Sequence, residues 1–518
     1  MDFDFISESL LPIQCEKGGA PLRVGQMAYD AIVVPGCETL RASTLERLEA
    51  FREKGGKLVF LGDAPRYVEA VEDSRGRRLW ERCDPVPFER HALLTALENV
   101  RTVDIRDADG LRSNDLLHQL RTDGEDRWLF IAHLDKPYCR DIPVGKERRI
   151  SLKGSWSVRC YDTLSGEIRP VKSVFSGGST TVTAKLYDLD SLLLRFSPRK
   201  EEAAAPEEER QPKRLCPVPS VVDYTLSEKN AYLLDKAEYA LDGEAWRPSQ
   251  ELLRADNDLR RSLGLPRREG GVAQPWTVPD VPPEHTARLR FRVECDRQIP
   301  AVELALEDAD IAKVWLNGEK VDAVPKGWFT DKSIGVLPLG DLRRGTNEIV
   351  VELPFGERTN IEWCYLLGDF GVKLQGTFRQ LTAREEKLGF SDITAQSLPH
   401  YSGNLTYALP IRTEGGDIRI TVPHYVGAAV RAELSGKSGY IVLPPYSLTL
   451  EDIPAGEHML KLTLLGNRHN AFGPLHLADS ERRWIGPDAW RTGGSYWTES
   501  YRLKPLGLLT APIIEELE

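Results

Sequence analysis

Three things are scarce in this 518-residue chain: long apolar runs, closely spaced cysteines and clustered positive charge. No run approaches the roughly 20 apolar residues that a helix needs to cross a bilayer. The start, MDFDFISESLL, lacks the basic opening of a signal peptide and carries acids throughout, so the expected location is cytoplasmic. The eight cysteines are dispersed; the closest two, Cys139 and Cys160, stand 21 positions apart. No C-x-x-C spacing exists, so no metal or redox motif of that kind is expected, and the thiols are read as reduced. A net charge of −11 argues against a nucleic-acid footprint, which needs clustered Lys and Arg, and gives no reason to expect an anionic membrane as partner.

What is present is ordinary for a globular protein: 41% hydrophobic and 28% charged residues. The length exceeds one hydrophobic core and suggests three or four domains, at roughly 100–200 residues each. Residues 1–122 alternate strands with helices. AYDAIVVPG reads as a strand. STLERLEAFREKGG reads as a helix with Leu45, Leu48 and Phe51 on one face, Ser43 and Glu46 as a capping box, and Gly55-Gly56 as its stop. KLVFLGD is the next strand and RTVDIRDADG a further one, which together suggest a parallel, doubly wound sheet.

Residues 123–198 change to strand after strand with Gly, Ser and Asp turns, a small antiparallel β domain. Residues 199–220 are charged, Ala- and Pro-rich and aperiodic, a linker by composition. Residues 221–378 and 379–518 carry strands at a rhythm, with Gly and Pro turns, that predicts two β-sandwiches in tandem. The fold class expected is therefore multidomain, α/β followed by all-β.

Three kinds of chemistry can be weighed. Cys37 sits where an apolar run breaks before a helix, the place of a thiol nucleophile, but Thr39 stands where a G-x-C-x-G turn needs glycine and no His-x-Glu occurs. A glutaminase-like enzyme at Cys37 is thus the weakest reading. A dinucleotide site wants G-x-G-x-x-G between strand and helix, and neither PGCETL nor GDAPRYV supplies it; no cofactor is expected. Glycoside hydrolysis wants two carboxylates, commonly on an eight-fold β/α barrel of about 250 residues, and only the first 120 or so residues alternate α and β. A self-sufficient hydrolase would have to use a sandwich cleft, with carboxylates such as Asp488 or Glu499.

Sugar binding suits sandwiches better. Sugars stack C–H faces on Trp and Tyr and pair hydroxyls with Asp, Asn, Arg and His. RRWIGPDAWRTGGSYWTESY concentrates Trp484, Trp490, Tyr496 and Trp497 with Asp488 and Arg491, and GNRHNAFGPLH adds His469, Asn470 and His476. These nine residues are the candidate carbohydrate contacts. The competing reading is that the aromatics close an interface and the polar groups satisfy loop backbone. Trp246, Trp276, Trp315 and Trp328 read as core.

DFDFISESLL and YDAIVVPGCETLRASTLERLEAFREKGGKLVFLGDAP resemble the flavodoxin-like, class I amidotransferase-like domain that follows the catalytic barrel in large bacterial glycoside hydrolases. AKVWLNGEKV, GWFTDKSIGVLPLGDLRRGTNEIVVELPF and YLLGDFGV resemble the galactose-binding-like jelly roll of β-galactosidase and α-L-rhamnosidase types, and LPHYSGNLTY with GNRHNAFGPLH resembles their terminal sandwich. The resemblance implies an accessory, non-catalytic C-terminal part of such an enzyme. It implies positioning, oligomerisation and weak binding of an oligosaccharide or plant or host glycan as its roles. The acid and the nucleophile or base of those families lie in an upstream barrel, so no catalytic residue and no metal ligand carries over. The implied partners are carbohydrate, that barrel and a second copy of the chain.

Overall fold

The structure, a computed structural model, describes residues 3–16, 18–134, 143–198, 210–268, 280–479, 482 and 484–518. It divides into two compact units, 1–208 and 209–518, and is mostly β.

In the first unit, Ala31–Val34 pairs in parallel with Lys57–Phe60, and the helix Ala42–Glu53 joins them. Leu45, Leu48 and Phe51 of that helix are buried, as their spacing predicts. Gly55 closes it at φ +84°, and a Cβ on Gly56 would strike the Phe51 ring. The capping box does not form. Ser43 lies inside the helix, and the first N–H groups are taken from a distance: Ala42 N–H donates to Glu69 Oε1 at 2.9 Å and Arg41 N–H to Glu8 Oε1 at 3.1 Å.

The parallel sheet is smaller than the doubly wound sheet expected; among the described residues it holds those two strands and a bridge from Leu61 to Val86. Val103–Asp107, expected as a further strand of that sheet, pairs antiparallel with Lys146–Lys153 instead. It thereby joins a four-stranded sheet that faces a five-stranded one over Ile105, Leu129, Ile131, Ile150, Leu194 and Phe196. Alternation explains the choice: its Val103 and Ile105 are buried while the residues between them are not.

The second unit holds two antiparallel sandwiches, but they are nested rather than in tandem. Pro212–Cys216, placed in the linker by composition, is a strand paired with Ile513–Leu517; 199–209 of that linker lie outside the described residues. Val221–Leu226 pairs with Leu405–Thr413. The chain then leaves this outer sandwich, builds an inner one from Asn230–Leu234 through Phe378–Thr382, and returns at Leu388–Gly389. Strand His285–Cys295 shows why the inner core forms, since Ala287, Leu289, Phe291, Val293 and Cys295 alternate inward.

One inner strand departs from alternation. Cys364–Gly368 is buried at every position, so both faces of its five-stranded sheet are covered. Ala471 and Leu475 belong to the same core, and Phe472, Trp490, Tyr501 and Leu503 pack against it. The described residues of 467–505 therefore form a strap packed against that core.

Candidate functional site

Four of the nine predicted sugar contacts, His476, Trp497, Asn470 and Trp490, anchor this strap. His476 Nδ1 faces the Thr498 carbonyl at 2.8 Å and its Nε2 faces Asp235 Oδ2 at 2.7 Å. Trp497 stacks on the His476 ring, 4.6 Å between centroids. Asp235, fully buried, also accepts from Tyr501 Oη at 2.7 Å and Arg379 Nη1 at 2.8 Å. Burial opposes ionisation of Asp235, but the Arg379 charge and the His476 and Tyr501 bonds outweigh it and hold the carboxyl well below its ordinary range.

Asn470 exchanges two hydrogen bonds with the Lys504 backbone, at 2.8 and 2.9 Å. Trp490 Nε1 donates to the Phe472 carbonyl at 3.0 Å. His469 is half-buried beside it, and burial, with Lys504 adding, lowers its pKa to about 4. Arg491 is half-buried, and its buried Nε finds no partner among the described residues. Asp488 pairs with Arg482. Only Trp484, 77% exposed, and Tyr496, 60% exposed, present large aromatic surface to solvent.

Two carboxylates of this region are engaged in hydrogen bonds. A glycosidase acid needs a raised pKa. Glu499 is pulled below its ordinary value by hydrogen bonds from Lys236 and Trp497. Glu251 is raised, to about 7, by burial, but its oxygens cap the helix Leu252–Ser262 and accept from Trp363 Nε1 at 2.6 Å. At Cys37 burial, with Glu8 adding, pushes the thiol up, the wrong direction for a nucleophile. The strand Thr39–Leu40 also separates it from the helix that was to activate it. Seven cysteines are described and all are free thiols. Among the described residues no group of three or more His, Cys, Asp or Glu is placed to hold a metal ion, and no helix is long and apolar enough to cross a membrane.

Where the strap begins, a cleft of about 490 Å³ opens on the inner sandwich, lined by Glu228, Lys229, Glu303, Lys326, Trp328 and Arg468 over Phe329, Val336 and Leu367. Arg468 grips Glu228 with both guanidinium nitrogens and donates to Ser402 Oγ at 3.0 Å. Lys229 Nζ lies 2.7 Å from Glu303 Oε1. Trp328, read as core from sequence, is 55% exposed, while its neighbour Phe329 is buried against Tyr365 and Phe472. A register shift between Trp328 and Phe329 re-aims the short strand they form. Thr330, which follows, sits at φ +64° with its Oγ1 buried and without a partner among the described residues. The one sequence cue was the Trp-Phe pair itself, because successive strand residues face opposite ways and one had to point out. Of the other tryptophans read as core, Trp246 and Trp315 are half-buried, and Trp276 lies outside the described residues.

No family description and no curated protein matches the sequence. Among the solved structures similar to it are several glycoside hydrolases. A rhamnosidase from Novosphingobium sp. PP1Y aligns over 99% of this chain and 36% of its own, at 12% identity and a TM-score of 0.47. The α-L-fucosidase isoenzyme 2 of Paenibacillus thiaminolyticus aligns over 33% of this chain and 41% of its own, at 11% identity and a TM-score of 0.23. A β-D-mannosidase from Dictyoglomus thermophilum aligns over 46% of this chain and 31% of its own, at 15% identity and a TM-score of 0.20. The chain thus spans 36% of the rhamnosidase's length. Likenesses at these identities and scores assign no family.

Proposed function

We propose that this chain is the accessory, non-catalytic part of a glycoside hydrolase, and that it holds carbohydrate in the Trp328 cleft. The observation that carries this reading is the exposed indole of Trp328 opposite two fixed ion pairs in a cavity of about 490 Å³. An aromatic face offers a platform for sugar C–H groups, and the Glu228–Arg468 and Lys229–Glu303 pairs offer acceptors and donors to hydroxyls. A cavity of this size falls in the range of small-ligand sites, about 300–1,000 Å³.

In this reading the catalytic acid and its partner sit in an upstream barrel. These domains position that barrel, take part in oligomerisation, and add affinity for an oligosaccharide. One shallow site implies weak binding, on the order of millimolar to high micromolar. Trp484 and Tyr496 give the strap a second exposed platform, which keeps part of the predicted aromatic set as a further sugar contact.

Titration calorimetry of the chain against mono- and oligosaccharides tests this. Binding is expected for the native chain and lost in Trp328→Ala. Turnover of nitrophenyl glycosides by the purified chain, abolished by Asp488→Asn or Glu499→Gln, would replace the accessory reading with a hydrolytic one.

A further inference from the structure

Resting on that sugar-binding reading, we propose that the Trp328 cleft selects a sugar bearing a carboxylate, with the ring on Trp328 and the carboxylate on Lys326. The charges lining the cleft do not balance. Three cations, Lys229, Lys326 and Arg468, face two carboxylates, Glu228 and Glu303. Arg468 is taken by Glu228 and Lys229 by Glu303. Lys326 forms no ion pair among the described residues, and its ammonium is left as a point charge on the rim. This local excess of positive charge stands on a chain whose net charge is −11, so it is a departure from the surface average and draws an anion rather than a neutral ligand.

The wall beside it is set by the backbone. Gly327, at φ +82°, bends the chain between Lys326 and Trp328, so charge and ring line the same cavity. Phe329, beneath, is packed against Tyr365 and Phe472, which fixes the platform on a rigid base.

The test is calorimetry of the whole chain with the methyl glycosides of galacturonic and glucuronic acid beside those of galactose and glucose. Each uronide shares its ring with its neutral counterpart and differs by a carboxylate at C6. At least one uronide is expected to bind about 10-fold more tightly than its neutral counterpart, the gain of one charge-assisted hydrogen bond. The preference is expected to vanish in Lys326→Gln and to shrink in high salt, while Trp328→Ala removes binding of both classes. Lys326 is exposed, so the variant should keep the native circular dichroism spectrum. Equal affinity for acidic and neutral sugars, or a preference that survives Lys326→Gln, overturns the charge selection and leaves the sugar site standing. Absence of binding to any sugar overturns both.

Discussion

His476 Nε2 lies 2.7 Å from Asp235 Oδ2 across 241 positions of sequence, and neither side chain reaches solvent. This contact pins the strap to the inner sandwich. Removing one partner leaves the other's polar group buried, so His476→Ala is expected to cost about 3 kcal/mol, read by urea denaturation. A double-mutant cycle with Asp235→Asn should show strong coupling, and proteolysis of the single variants should begin within 467–505. Additive effects would mean that the two groups act separately.

Acid should loosen the same region in two stages. His400 is fully buried, with Nδ1 on the Asn470 carbonyl at 2.9 Å, and burial above all lowers its pKa to about 4. Its folded value lies below its unfolded one. The unfolded chain therefore gains the proton first, and stability falls as pH drops from 6.5 towards about 4. The whole shift corresponds to about 3 kcal/mol. Asp235 adds a later loss: its folded pKa is also depressed, so its contribution persists above the unfolded value near 3.8 and fades only below it. Denaturation midpoints at a series of pH values check this; a His400→Gln variant should reduce the first stage and leave the part that His469, also lowered to about 4, contributes over the same range.

Thr330 should affect stability and leave binding alone. Glycine accepts φ +64° without a Cβ penalty, so Thr330→Gly is expected to stabilise the chain by about 1 kcal/mol. Its hydroxyl is buried away from the cleft, so sugar affinity should be unchanged. Thermal denaturation and calorimetry read the two effects, and a variant less stable than the native chain would contradict the strain reading.

The carboxylates of the strap should carry ion pairs and no chemistry. Glu499→Gln removes the partner of Lys236, an exposed pair at 2.6 Å whose loss is expected to cost under about 1 kcal/mol. Thermal denaturation reads that change. Glycoside turnover by the isolated chain should be undetectable before and after the substitution.

How far the sequence could be read follows from what each signal depends on. Leu45, Leu48 and Phe51 lie within one helix, and Ala287 to Cys295 within one strand, so their periodicity showed which faces turn inward. The nesting of the sandwiches was illegible. Val221–Leu226 looks the same whether its partner is the next strand or Leu405–Thr413, because register is a property of pairs far apart in sequence.

The strap residues allow two readings for a chemical reason. Trp490, Trp497 and His476 are the residue types that grip sugars, and they serve equally well to close a buried polar cluster around Asp235. Trp328, read as core with the other tryptophans, is exposed instead: the register shift beside it and the positive φ at Thr330, neither visible in composition, turn the indole outward.

The central claim is that sugar is held chiefly at Trp328, with the exposed strap aromatics adding at most a minor contact. Calorimetric titration of the native chain, Trp328→Ala and Trp484→Ala with one oligosaccharide ligand tests it most directly. The account predicts that Trp328→Ala abolishes measurable binding while Trp484→Ala weakens it by no more than a few-fold. Full affinity in Trp328→Ala, with binding lost in Trp484→Ala, would contradict it.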